Sequence, residues 1–98
     1  MNAADVVRAV LDAVPDALCV SSLGTATSAL RLASGDGPHL YMGGSMGSAL
    51  AAALGVAERL PERRVVVFLG DGETLMGAGS LWTLAGLRPA NLLAVVLA

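Results

Sequence analysis

The chain reads as an α/β domain, a three-layer sandwich around a parallel sheet, and three observations predict it. Short apolar runs at Ala17–Ser22, Arg64–Leu69 and Leu92–Leu97 have the length and β-branched content of buried strands. Segments with helical periodicity or alanine-rich composition lie between them, and the connections are short. Strand, helix, strand, helix, strand in that order means parallel pairing through right-handed crossovers.

Each element has its own signal. In Asn2–Val14 the residues Val6, Val7, Val10, Leu11 and Val14 recur at helical spacing, and Pro15-Asp16 ends the pattern. Ala17–Ser22 is the first strand and closes on a turn at Gly24. A helix is expected over Thr25–Leu32, capped by Ser22 or Thr25. Ala33–Ser45 carries Gly35, Asp36, Gly37, Pro38, Gly43 and Gly44, too many backbone breakers for a regular element, with HLYM extended in its middle. An alanine-rich helix follows over Ser45–Leu60, its small residues suited to close packing on a sheet, and Pro61 stops it. Arg64–Leu69 is the second strand, Leu75–Leu87 a helix ending near Arg88-Pro89, and Leu92–Leu97 the third strand. The whole of 1–98 is one domain, expected to be incomplete after Ala98 because a buried-type strand at that point has nothing to cover it.

Composition narrows the function. Of 98 residues, 55% are hydrophobic and 14% charged, and the mean hydropathy is +0.71. Much of that apolar surface is expected to meet another chain or segment. The longest apolar stretches are too short to span a bilayer, which argues against a membrane location. Asp5, Arg8 and Asp12 interrupt the start, so no secretory signal is read and a cytoplasmic location is expected. A net charge of −2 with six Lys+Arg gives no basic patch for nucleic acid. The single cysteine, Cys19, reads as a small buried hydrophobe.

The chemistry gathers at VVVFLGDGETLMGAGSLW, where the Val65–Leu69 run discharges into Gly70-Asp71-Gly72 and then into a helix. A carboxylate between two glycines at the carboxyl end of a parallel strand sits where open α/β sheets take ligands, with helical N–H groups close by to receive an anion. A turn after a strand also recruits Gly and Asp for backbone reasons alone. The dinucleotide fingerprint fails, since Leu75 occupies the position of its third glycine. The nucleotide P-loop fails as well, because the chain has no lysine. What remains is a hard oxygen ligand, Asp71, beside glycines that permit close approach, the pattern of Mg²⁺ shared with a phosphate. A second constellation, Tyr41-Met42-Gly43-Gly44-Ser45-Met46-Gly47, opens the alanine-rich helix; by itself it is equally a flexible turn with a gap-filling methionine.

Taken together, HLYMGGSMG, the alanine-rich helix, RRVVVFLGDGETLMGAGSLWTLA and ANLLAVVL resemble the diphosphate-binding domain of thiamine diphosphate enzymes, and most of all the β-type subunit of the sulfopyruvate and phosphonopyruvate decarboxylase group. The resemblance implies thiamine diphosphate and Mg²⁺ as cofactors, with Asp71 as metal ligand. It places Gly70, Asp71, Gly72, Glu73 and Thr74 at the diphosphate, although the acid of Glu73 is better suited to capping a helix than to meeting phosphate. It further implies that Gly44 offers its carbonyl to the aminopyrimidine, that Ser45 lies in the same turn, and that Met46 wedges beneath the cofactor to hold it bent. His39 and Tyr41 precede this turn and are candidates to reach substrate, against the plainer readings of an exposed histidine and a packing tyrosine.

In that family an Asn, commonly in an Asp-Asn or Asn-Asn pair at the end of the following strand, completes the metal site, and here Ala98 stands where the first member of the pair falls. Asn91 begins that strand and lies at the wrong end to substitute. The activating glutamate belongs to a separate pyrimidine-binding domain or subunit, so no catalytic residue is assigned in this chain and it is expected to be inactive alone. The expected whole is a 2-oxo acid decarboxylase assembled as an oligomer with an α-type pyrimidine-domain partner. The alternatives are a non-catalytic remnant that acts as an assembly module, and a subunit of an acetolactate synthase-like or transketolase-like enzyme.

Overall fold

The computed structural model describes residues 2–35 and 37–98, so Asp36 of the predicted loop lies outside the described residues. The first helix, α1 (Ala3–Ala13), begins at a reciprocal cap: Asn2 Oδ1 accepts from the Asp5 N–H at 2.9 Å, and the Asp5 carboxylate accepts from the Asn2 N–H at 3.1 Å. It ends before Pro15, as the sequence predicts. Then follow β1 (Leu18–Ser21), α2 (Thr25–Ser34), β2 (Leu40–Tyr41), α3 (Ala49–Arg59), β3 (Val65–Gly70), α4 (Asp71–Met76), α5 (Gly79–Leu87) and β4 (Leu92–Leu97).

All strand pairs are parallel and the order is β2-β1-β3-β4. Every residue from Val65 to Leu69 is buried, and the pleat divides them. Val65, Val67 and Leu69 pack with Val20 against Ala49, Leu50, Ala53, Leu54 and Ala57 of α3. Val66 and Phe68 pack with Cys19 against Val7 of α1 and Ala26, Ala29 and Leu30 of α2. The uninterrupted apolar run is thus the signature of a strand covered on both faces, and the three-layer α/β sandwich is the observed architecture.

Four local expectations are corrected. The sheet has four strands, because Leu40–Tyr41 of HLYM pairs with Val20–Ser21. The helix expected from Ser45 starts at Ala49, since Ser45 (φ 56°) and Gly47 (φ 90°) both hold left-handed backbone and keep the segment a turn. The helix expected over Leu75–Leu87 is two: α4 starts at once after β3, stops at Gly77, and α5 restarts at Gly79. At that break Gly77 lies against the Gly47 carbonyl, which a Cβ on Gly77 would overlap. The expected caps of α2 also differ, for its N-cap is Gly24 (φ 76°), without a side-chain cap. Thr27 Oγ1 instead donates to the Ser22 carbonyl at 2.7 Å.

Candidate functional site

β1 runs on into α2, which covers one face of the sheet, whereas β3 runs on into α4 and α5, with Leu84 of α5 packed on the opposite face. The chain therefore departs in opposite directions from two neighbouring strands, the topological switch point at which open parallel sheets leave a crevice beyond their carboxyl ends. A cavity of about 250 Å³ lies there, lined by Leu23, Thr25, Gly70, Asp71, Leu97 and Ala98 among others. Larger hollows of about 380 and 450 Å³ lie at the other end of the sheet, around Asn91 and around His39. Volume alone would favour those, but the switch-point geometry, with a carboxylate directly after a buried strand, is found at the smaller one.

The rim of this crevice is tied down. The Ser22 N–H donates to the Phe68 carbonyl at 3.0 Å, and Ser22 Oγ accepts from the Gly70 N–H at 3.3 Å, so the ends of β1 and β3 are joined beyond the ladder. Ser21 and Ser22 are both buried, and Ser21 Oγ lies 2.7 Å from Thr27 Oγ1. Among the described residues no buried side-chain nitrogen or oxygen lacks a hydrogen-bond partner. The serines and Thr27 thus brace a backbone that must leave the sheet abruptly.

Asp71 is exposed, and its Oδ1 accepts from the following Gly72 N–H at 2.8 Å. A Cβ at Gly70 or Gly72 would meet nothing within 4 Å, so the backbone around the carboxylate is open to a close-approaching group. Thr74 Oγ1 turns back to donate to the Gly70 carbonyl at 2.8 Å. The register sets Leu97 opposite Gly70, which brings Ala98 beside Asp71. Asp71, Gly70, Gly72 and Thr74 are therefore clustered at the crevice. Among the described residues no three His, Cys, Asp or Glu side chains converge. The donor set is one carboxylate, which suits an ion whose remaining ligands are water and phosphate and not an all-protein cage.

The turn with Gly44, Ser45 and Met46 lies at the end of β2, and Met46 is 60% exposed. It does not line the Asp71 cavity. The two constellations are instead joined by Glu73, whose Oε2 accepts from the Gly47 N–H at 2.6 Å and whose Oε1 accepts from the Ala49 N–H at 3.2 Å. These bonds cap α3 with a carboxylate from α4, a role for which sequence spacing gives no signal.

His39 and Tyr41 are not brought to the crevice. His39 Nδ1 accepts from the Cys19 N–H at 3.1 Å, continuing the β1–β2 pairing one residue before β2 begins. Burial holds its imidazole below the ordinary histidine range. The Tyr41 ring lies 4.5 Å from the Arg31 guanidinium, and its hydroxyl donates to the Gly35 carbonyl at 3.2 Å. Sequence reading also gave no role to Asn91 beyond excluding it from the metal site. Its side-chain nitrogen lies 2.9–3.1 Å from the Ala57, Leu60 and Arg63 carbonyls, locking the end of α3 to the start of β4. Burial pushes the Cys19 thiol up to about 11.

With this geometry in view, comparison with known proteins is specific. Residues 22–98 match the family described as thiamine pyrophosphate enzyme, C-terminal TPP binding domain. The chain is 42% identical over 90 residues to a phosphonopyruvate decarboxylase of Streptomyces hygroscopicus, covering 92% of this chain and 22% of that protein. It is 39% identical over 93 residues to the sulfopyruvate decarboxylase subunit beta of Methanothermobacter thermautotrophicus, covering 95% of this chain and 50% of that one. It is also 35% identical over 89 residues to an acetolactate synthase large subunit of Parasynechococcus marenigrum, covering 83% of this chain and 14% of that protein. The chain thus spans half or less of the length of these relatives.

Proposed function

The chain belongs to the family of thiamine pyrophosphate enzyme C-terminal, TPP-binding domains, and on that premise we propose that it is the diphosphate- and Mg²⁺-holding part of a 2-oxo acid decarboxylase. The substrate is a three-carbon oxo acid ending in a sulfonate or phosphonate, the class named in its sulfopyruvate and phosphonopyruvate decarboxylase relatives. The observation that carries the reading is the free Asp71 carboxylate at the β1/β3 switch point, inside the matched stretch.

Asp71 would supply one hard oxygen to Mg²⁺, an ion that suits a site with a single protein carboxylate beside a phosphate. Gly70 and Gly72 leave room for the phosphates to approach, and Thr74 steadies the first turn of α4 through the Gly70 carbonyl. Gly44, Ser45 and Met46 hold the cofactor's ring end. When bound, thiamine diphosphate supplies the electron sink that lets a 2-oxo acid lose CO₂. The chain's own task is to bind and orient it.

The activating carboxylate comes from a pyrimidine-domain partner in an oligomer. Support for such a partner is the apolar face of α4 and α5, where no residue is buried and Leu75 and Trp82 are 78% and 84% exposed. Among the described residues no helix is long and apolar enough to cross a membrane.

Calorimetry with thiamine diphosphate tests the reading, with and without Mg²⁺ and with and without a pyrimidine-domain subunit. Mg²⁺-dependent uptake followed by CO₂ release from sulfopyruvate or phosphonopyruvate is expected from the complex. No uptake under any of these conditions would leave the assembly module as the function, a reading favoured by the separation of Met46 from the Asp71 cavity. Ketol transfer without net release of aldehyde would instead assign the chain to the acetolactate synthase-like branch of its relatives.

A further inference from the structure

The start of α3 is where an anion would ordinarily be drawn, since its first N–H groups have no intrahelical acceptor and the helix dipole is positive there. In this chain that position is already taken. Ser48, the N-cap residue, makes no side-chain cap; its hydroxyl turns back to donate to the Ser45 carbonyl at 2.6 Å. The acceptor comes from α4, where both oxygens of the half-buried Glu73 are engaged on the Gly47 and Ala49 N–H groups. Beside it Gly47 meets Met76 and Gly77 in backbone contact, and a Cβ on either glycine would be crowded.

We propose that Glu73 is a positioning residue, not a cofactor contact: its carboxylate fastens the Gly44–Met46 turn to the helix that carries Asp71, and closes the α3 N-terminus to phosphate. The proposal rests on the thiamine diphosphate reading of the site. Two consequences follow from the chemistry. A carboxylate whose oxygens are both accepting hydrogen bonds has no donor to offer a phosphate and repels it, so the diphosphate is left to Asp71 and the amides that begin α4. The turn and the metal ligand also move as one piece, so any displacement of α4 is passed to Met46 through two hydrogen bonds and a glycine contact.

Amide hydrogen exchange of the whole chain, read at Gly47 and Ala49 against Val66 and Phe68 of β3, tests the fastening without any ligand. Glu73→Ala is expected to speed exchange at Gly47 and Ala49 by about tenfold, the effect of losing a charge-assisted hydrogen bond, with the β3 amides unchanged. Glu73→Gln, which keeps one acceptor oxygen, is expected to restore part of the protection and stands in should the alanine variant not fold. Calorimetry on the same proteins is expected to show thiamine diphosphate affinity falling in step with lost protection. Unchanged exchange at Gly47 and Ala49 overturns the proposal. So does an affinity loss with exchange intact, which would make Glu73 a direct contact. If the unsubstituted protein takes up no thiamine diphosphate even with a pyrimidine-domain subunit, the reading of the site fails, and the exchange arm still decides whether Glu73 holds the turn.

Discussion

The two ends of the sheet are built on opposite plans. At the amino end, side chains complete backbone hydrogen bonding and close the fold: His39 accepts from Cys19, and Asn91 reaches three carbonyls at the end of α3 and in the turn after it. At the carboxyl end, side chains brace the rim but leave one carboxylate free, with Ser22, Thr27 and Thr74 bonded to backbone and Asp71 exposed between open glycines. Polar side chains thus close the fold at one end, and at the other they brace a rim that leaves Asp71 exposed for the binding role proposed above. Substitution should separate the two, since losses at the amino end lower stability while losses at the carboxyl end lower affinity.

The largest expected effect is at Asp71. Replacing it with Asn removes the carboxylate that lines the crevice, and Mg²⁺-dependent thiamine diphosphate uptake is expected to fall at least about 100-fold by calorimetry. The melting temperature should hardly move, because the side chain is exposed. A large drop in stability with affinity intact would erase the contrast between the two ends. Asn91→Ala should do the reverse, costing about 1 kcal/mol in denaturant unfolding by removing the donor from the partly buried Ala57 carbonyl and the exposed Leu60 and Arg63 carbonyls, and leaving cofactor affinity unchanged.

A smaller effect is expected from pH at His39. Its folded-state pKa lies below that of the unfolded chain, so the unfolded state binds the extra proton first and stability is lost as pH falls. The loss should begin as pH drops through the ordinary histidine range near 6.5 and level off below the folded pKa. Thermal melts between pH 7.5 and 5 are expected to show this decline in the wild type and a weaker one in His39→Gln, which keeps an acceptor for Cys19 but does not titrate. The smallest effect concerns Cys19. With its thiol raised to about 11 and buried in the core, it should react with a thiol reagent only as fast as the protein unfolds. Rapid labelling at neutral pH would show that the β1 face opens locally.

The contrast between regions also explains what could be read from residues in order. β3 was legible because five consecutive apolar residues need two covering layers, and α1 because Val6, Val7, Val10, Leu11 and Val14 recur at helical spacing and Pro15 ends the pattern. The place of Asp71 was legible because the apolar run of β3 passes straight into Gly70-Asp71-Gly72, which sets the acid at the strand's carboxyl end. β2 was legible only as the extended HLYM inside a glycine-rich loop, since two residues carry no period and become a strand through pairing with Val20 and Ser21. The break at Gly77 was hidden because α4 and α5 share a helix-compatible composition, and the interruption occurs where Gly47 comes against it from another element.

The sequence by itself determined the layered α/β class, the position of the acidic turn at a strand's carboxyl end, and the resemblance that the family match upholds. These rest on periodicity, local composition and chain order, which neighbouring residues encode among themselves. Only the tertiary structure decided that Glu73 serves α3, that His39 extends the β1–β2 pairing, and that Asn91 secures the far end of α3. Those bonds join residues 20 to 34 positions apart, and their partners exist only once the helices have docked on the sheet. A carboxylate or an imidazole has several possible partners along the chain, and it is packing that selects one.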